Sequence, residues 1–98
     1  FDVVPVALKV DAWQSNYLRT LPLHHTQKEV ERNEEYSIFE YRLCPTFDFR
    51  QKLLSMGGSV EVLAPQDLVY QMRDEGQGIV DMHQMPEMAY YEFKVYKK

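Results

Sequence analysis

The sequence predicts an α+β fold built on one sheet and one core. Three observations carry this. Segments alternating between apolar and polar side chains are interrupted by segments that repeat every three to four residues. A polar "RNEE" separates two alternating segments, as in a hairpin. Pro22, Pro65, Pro86 and the pair Gly57–Gly58 stand where one pattern gives way to the next.

Residues 3–10, "VVPVALKV", place Val4, Val6, Leu8 and Val10 on one face of a half-buried strand. Asp11 then caps a helix over 12–21. There Trp13, Tyr17 and Leu21, with Leu18 beside them, form one apolar stripe, and Pro22 ends it. If Trp13 is fully buried, Trp13→Ala destabilises by about 3–5 kcal/mol. Two strands follow, 23–32 and 35–44. The second carries Ser37, Phe39, Tyr41 and Leu43 on one face and Tyr36, Ile38, Glu40 and Arg42 on the other.

The next helix covers 48–56. Asp48 with Gln51 fits a capping box, and Thr46 is the alternative cap. Phe49, Leu53, Leu54 and Met56 give its buried face, and the two glycines its left-handed stop. Residues 59–64 form a fourth strand. Pro65 starts a helix over 66–75 or longer, with Gly76 and Gly78 as its weak points. The tail "MAYYEFKVYKK" alternates Tyr91, Phe93 and Val95 as another strand would. The expected core holds Val6, Leu8, Trp13, Tyr17, Phe39, Leu53, Leu54, Val60 and Val62.

The order is βαββαβ, then a helix and a strand-like tail. Two βαβ units joined through a hairpin describe a ferredoxin-like sandwich. Right-handed crossovers put both helices on one sheet face and leave the other open. Residues 1–85 form the domain in this reading, and 86–98 a tail. Tail residues 90–96 are expected to take part in a two-fold dimer.

Composition narrows the function. The 98 residues suffice for one domain. The formal charge is −4. Residues 1–33 hold four basic and four acidic side chains and the remainder seven and eleven, so no net basic footprint suggests a nucleic-acid binder. Cys44 is the single cysteine, which excludes an internal disulfide and suits a reducing cytoplasm. No apolar run reaches the length of a membrane span. The opening "FDVVPV" without Met suggests a domain taken from a longer protein.

Catalytic and metal chemistry find little support. His24 and His25 are adjacent, His83 is remote, and no CxxC, HxxxH or HxH spacing occurs, so no metal or cofactor is expected. Cys44 lacks an evident base and orienting group, so no catalytic residue is assigned. "MGGSVEV" places its glycines after a helix and before a strand, the reverse of a phosphate-binding loop. The Gly–aromatic signature of RNA-stacking sheets is missing around Tyr36, Phe39 and Tyr41.

From "LPLHHTQKEV" to "VEVLAPQDLVYQM" the chain resembles the C-terminal extension, called WCX, of bacterial WYL-domain transcriptional regulators. The resemblance rests on Pro22, His24, Thr26 and Gln27 entering the hairpin. It continues through Gly57 or Gly58, Val60, Glu61, Val62, Leu63, Pro65 and Leu68, and covers roughly residues 3–75. It implies a non-enzymatic, ferredoxin-like regulatory module serving dimerisation and response to a small-molecule or nucleic-acid effector. It also implies winged-helix DNA-binding and WYL domains in the same full-length chain. A stand-alone ferredoxin-like domain that binds a small molecule is the alternative, and a small enzyme a third.

Within this frame His24, His25, Gln27 and Lys28 are the candidate contact residues. On a strand, His24, Thr26 and Lys28 share one face, and His25, Gln27 and Glu29 the other. The open set is expected to meet the WYL domain or an anionic effector. The competing expectation is that residue 24 or 27 only hydrogen-bonds the helix-to-strand turn.

Overall fold

The computed structural model describes residues 2–83. Eight elements follow one another: β1 (Val4–Asp11), α1 (Ala12–Thr20), β2 (Lys28–Arg32), β3 (Tyr36–Leu43), α2 (Phe47–Ser55), a 3₁₀ turn (Gly57–Ser59), β4 (Val60–Ala64) and α3 (Gln66–Met82). The strands form one antiparallel sheet in the order β2-β3-β1-β4. The fold is α+β, with four strands and three helices among the described residues. The expected tail strand and its part in a dimer fall on residues outside them.

Alternation along β1 and β3 builds the core. Val6, Leu8 and Val10 lie beside Tyr41, Phe39 and Ser37 in register, and all six are buried. Leu18 of α1, Phe49 and Leu53 of α2 and Leu68 of α3 close over this face in one cluster. Pro5, Lys9, Glu40 and Arg42 point the other way and are exposed, so among the described residues the second sheet face carries no helix.

The ends of the helices follow local chemistry. The Asp11 carboxylate accepts from the Gln14 amide at 2.7 Å and starts α1. Thr46, rather than Asp48, caps α2 by accepting from Phe49 N. Gly57 takes φ +57°, the left-handed geometry that stops α2. The helix α3 runs unbroken through Gly76 and Gly78 to Met82.

Three sequence expectations are corrected. First, Trp13 and Tyr17 are not core residues: they are 70% and 52% exposed, and α1 buries Ser15 and Leu18 instead. The strand-to-helix connection decides this. Asp11 is both the last residue of β1 and the cap of α1, Ala12 N donates to Glu35 O at 3.0 Å, and the Ser15 hydroxyl donates to Val10 O at 3.1 Å. A helix held this closely to its strand cannot rotate to bury the aromatic stripe. Trp13 and Tyr17 pack on each other edge to face, centroids 5.8 Å apart. Their exposure withdraws the premise of a large Trp13→Ala effect.

Second, Leu54, Val60 and Val62 are half-buried: among the described residues β4 is an edge strand, so Val60 and Val62 pack against the core from its border, and Leu54 of α2 lines the groove beside them. Third, β2 starts at Lys28, not 23. It contains a bulge: Glu29 faces Phe39 while Glu31 faces Ile38, leaving Val30 as the extra residue.

Candidate functional site

The stretch before β2 is a turn rather than a strand. Gln27 N donates to His24 O at 3.0 Å, closing a β-turn over residues 24–27. The turn, not the alternation of a strand, sets the side chains of His24 and His25. Their rings lie together, with centroids 4.2 Å apart and planes tilted by 32°. His24 is half-buried and His25 exposed.

The turn is tied to the body of the domain by two side chains. Thr26 Oγ1 accepts from Arg42 N at 3.0 Å and lies 3.2 Å from Arg42 O. A hydroxyl thus replaces a backbone rung between the turn and β3. His24 Nδ1 lies 2.8 Å from the same Thr26 oxygen. Gln27 reaches the other way. Its Nε2 donates to Leu18 O at 2.8 Å, while its Oε1 accepts from Leu23 N at 3.1 Å and from the Tyr41 hydroxyl at 2.7 Å. One amide therefore joins the end of α1, the turn and the core strand β3. Burial pushes the Tyr41 phenol well above its usual range, so it stays neutral and donates.

Below the turn lies an ion-paired network. Arg19 binds Glu29 through two bonds, Nε to Oε1 at 3.0 Å and Nη2 to Oε2 at 2.7 Å. The buried Ser37 hydroxyl donates to Glu29 Oε2 at 2.5 Å. The Arg19 hydrogen bond, followed by that from Ser37, outweighs desolvation and holds the Glu29 carboxyl down at about 2. Because the folded value lies below the ordinary 4.5, this stabilisation is complete above about pH 4.5 and lost as pH falls toward 2. Glu29→Gln is expected to lose about 1–2 kcal/mol at pH 7, after allowing for solvent screening, and to flatten the stability profile between those pH values. Urea titrations from pH 2 to 7 check this; an unchanged profile removes Glu29 as its source.

The helix-free sheet face holds a cleft of about 500 Å³ beside the turn. Pro5, Ala7 and Ala64 give it a small-residue floor, and Thr26, Lys28, Glu40 and Arg42 a polar rim. The ladder explains the grouping. Lys28 faces Glu40, Glu40 faces Ala7, Ala7 faces Ala64, and Arg42 faces Pro5 in the next row. Side chains too short to fill the face lie between long charged ones, and a depression results.

The four residues expected at a contact surface thus separate. Lys28 lines the cleft. Gln27 is engaged inside the domain on three partners, and the two histidines stand on the turn without lining the cleft. Arg42, Glu40, Pro5 and Ala7 were not singled out as site residues, although their place on the open strand faces was readable. Among the described residues no group of three His, Cys, Asp or Glu side chains could hold a metal ion. No described helix is long and apolar enough to cross a membrane.

The family model of the WCX domain matches residues 2–80. No curated protein matches the chain.

Proposed function

The chain belongs to the WCX domain family, and from that premise we propose that it is the non-enzymatic regulatory module of a bacterial WYL-family transcriptional regulator. In this reading it works beside WYL and winged-helix DNA-binding domains of the same full-length chain, in the cytoplasm and as a homodimer. It responds to a small-molecule or nucleic-acid effector. The sheet supports the ferredoxin-like assignment: from the opposite edge its order reads β4-β1-β3-β2. Each helix-linked pair, β1 with β2 and β3 with β4, then brackets one strand of the other pair, as two interleaved βαβ units do.

The observation that carries the functional reading is the cleft on the helix-free face. A concave surface with an apolar floor and a rim on which Lys28 and Arg42 outnumber Glu40 fits a neighbouring domain, or an anionic group held between that domain and this one. The turn at His24 and His25 stands at its border. Imidazole N–H groups there add donors toward an anion, while Gln27 sets the turn's position.

The test uses the full-length regulator and its operator, with and without effector. Lys28→Ala and Arg42→Ala are expected to weaken the effector response at least fivefold while leaving the melting temperature within a few degrees. His24→Ala has a smaller effect in the same direction, and Lys52→Ala, on an exposed helix position, has none. A full response in the Lys28 and Arg42 variants overturns the assignment of this face.

A further inference from the structure

We propose that the free edge of β4 and the apolar groove beside it are the docking site for residues 90–96 of this same chain, added as a fifth strand parallel to β4.

The two edges of the sheet differ in kind. Each edge strand carries one bulge, at Val30 in β2 and at Leu63 in β4, but the edge strand β2 reads "KEVER": four of its five residues are charged, and the Thr26 side chain straps its entrance to β3. The charges and the strap are devices that keep an edge from pairing. The edge strand β4 reads "VEVLA", with Glu61 as its one charge. Among the described residues it pairs only with β1. Beside it lies a groove of about 410 Å³ between α2, β4 and α3, lined by Leu53, Leu54, Val60, Val62, Met72 and Ile79 and bordered by Gly76. The inner face of a strand added to β4 would enter this space.

The course of the chain selects the occupant. The helix α3 leaves the end of β4, packs along it and shares α2's side of the sheet, tied there by Arg50 Nε to Glu75 Oε1 at 3.1 Å. Seventeen residues carry it about 25 Å, against about 17 Å for the five residues of β4. It runs back along the strand, and Ile79 near its end meets the same groove as Val60 at the start of β4. Residues 84–89 reach about 20 Å, enough to step from the helix layer to the sheet. A strand beginning there runs parallel to β4. With α3 on the face that α2 occupies, the β4–α3–strand connection has the same hand as β3–α2–β4, the right-handed one that such crossovers adopt.

Sequence chemistry fits that seat. Tyr91, Phe93 and Val95 share the face that would enter the groove, while Tyr90, Glu92, Lys94 and Tyr96 share the face that would join the open side of the sheet. Docking within one chain extends the sheet to five strands and removes these residues from any subunit contact made at β4.

Hydrogen exchange on the intact 98-residue chain tests this. The amides of Val60–Ala64 that point away from β1 are expected to exchange at least tenfold more slowly than exposed backbone amides. Phe93→Asp should abolish that protection, and Lys94→Asp, the same charge on the other face, should keep it. Free exchange in the unmodified chain, or equal protection in the two variants, overturns the proposal. Protection that disappears on dilution, together with a shift from dimer to monomer in sedimentation, assigns the edge to a second copy and overturns docking within one chain.

Discussion

Phe39→Ala is expected to destabilise the domain by about 3–5 kcal/mol. The ring is 1% exposed and sits on the inner face of β3, with Leu8 beside it on β1 and Glu29 on β2. Helices cover this face and a paired strand flanks β3 on either side, so neighbouring backbone cannot collapse into the space left behind. A domain of this size has total stability of about 5–15 kcal/mol, so the loss is a large share of it. Urea denaturation followed by circular dichroism reads it as a lower midpoint at unchanged slope. Phe39→Leu, which keeps most of the volume, should lose about 1 kcal/mol. A loss below 1 kcal/mol for the alanine variant would show that Phe39 does not occupy the centre of the core.

The second large effect belongs to Gln27→Ala, at about 2–3 kcal/mol. Truncation strands three groups at once: the Leu18 carbonyl at the end of α1, the Leu23 amide, and the hydroxyl of Tyr41. Tyr41 is 2% exposed, so water does not readily replace the lost acceptor. Tyr41→Phe removes the hydroxyl and leaves Gln27 bonded to Leu18 and Leu23; it should lose about 1 kcal/mol. In the double variant the two losses should fall short of additivity by about 1 kcal/mol, the signature of a shared bond. Additive losses would show that the Tyr41–Gln27 bond carries no stability. The experiment also separates two roles for the turn. A Gln27 that only met an effector would leave the melting temperature of the isolated domain unchanged.

Much of the fold was legible because its signals are local. Alternation fixed β1 and β3 to within a residue. Asp11 is a short oxygen-bearing side chain at the first turn of a helix, Thr46 was the alternative to Asp48 in the same role, and Gly57 is the residue that tolerates the left-handed stop. None of these depends on a distant neighbour. The candidate site was legible only in part. Lys28 sits on the rim of the cleft, but the cleft exists because Pro5, Ala7 and Ala64, from strands far apart in sequence, meet in register beneath long charged neighbours.

By itself the sequence determined an α+β chain, the order of its elements, and which faces of its central strands are apolar. Tertiary structure alone decided how α1 is rotated, where β2 begins and where its bulge falls. The stripe Trp13–Tyr17–Leu21 and the stripe Ser15–Leu18 both have helical spacing; the bond from Ser15 to Val10 O and the absence of any linker after β1 chose the second. "LHHTQ" reads as a strand until Gln27 finds Leu18 O and Tyr41 and Thr26 finds Arg42. Those side-chain bonds offset the ladder bonds that the turn gives up. Periodicity states which residues can share a face; only contacts between elements state which face is buried.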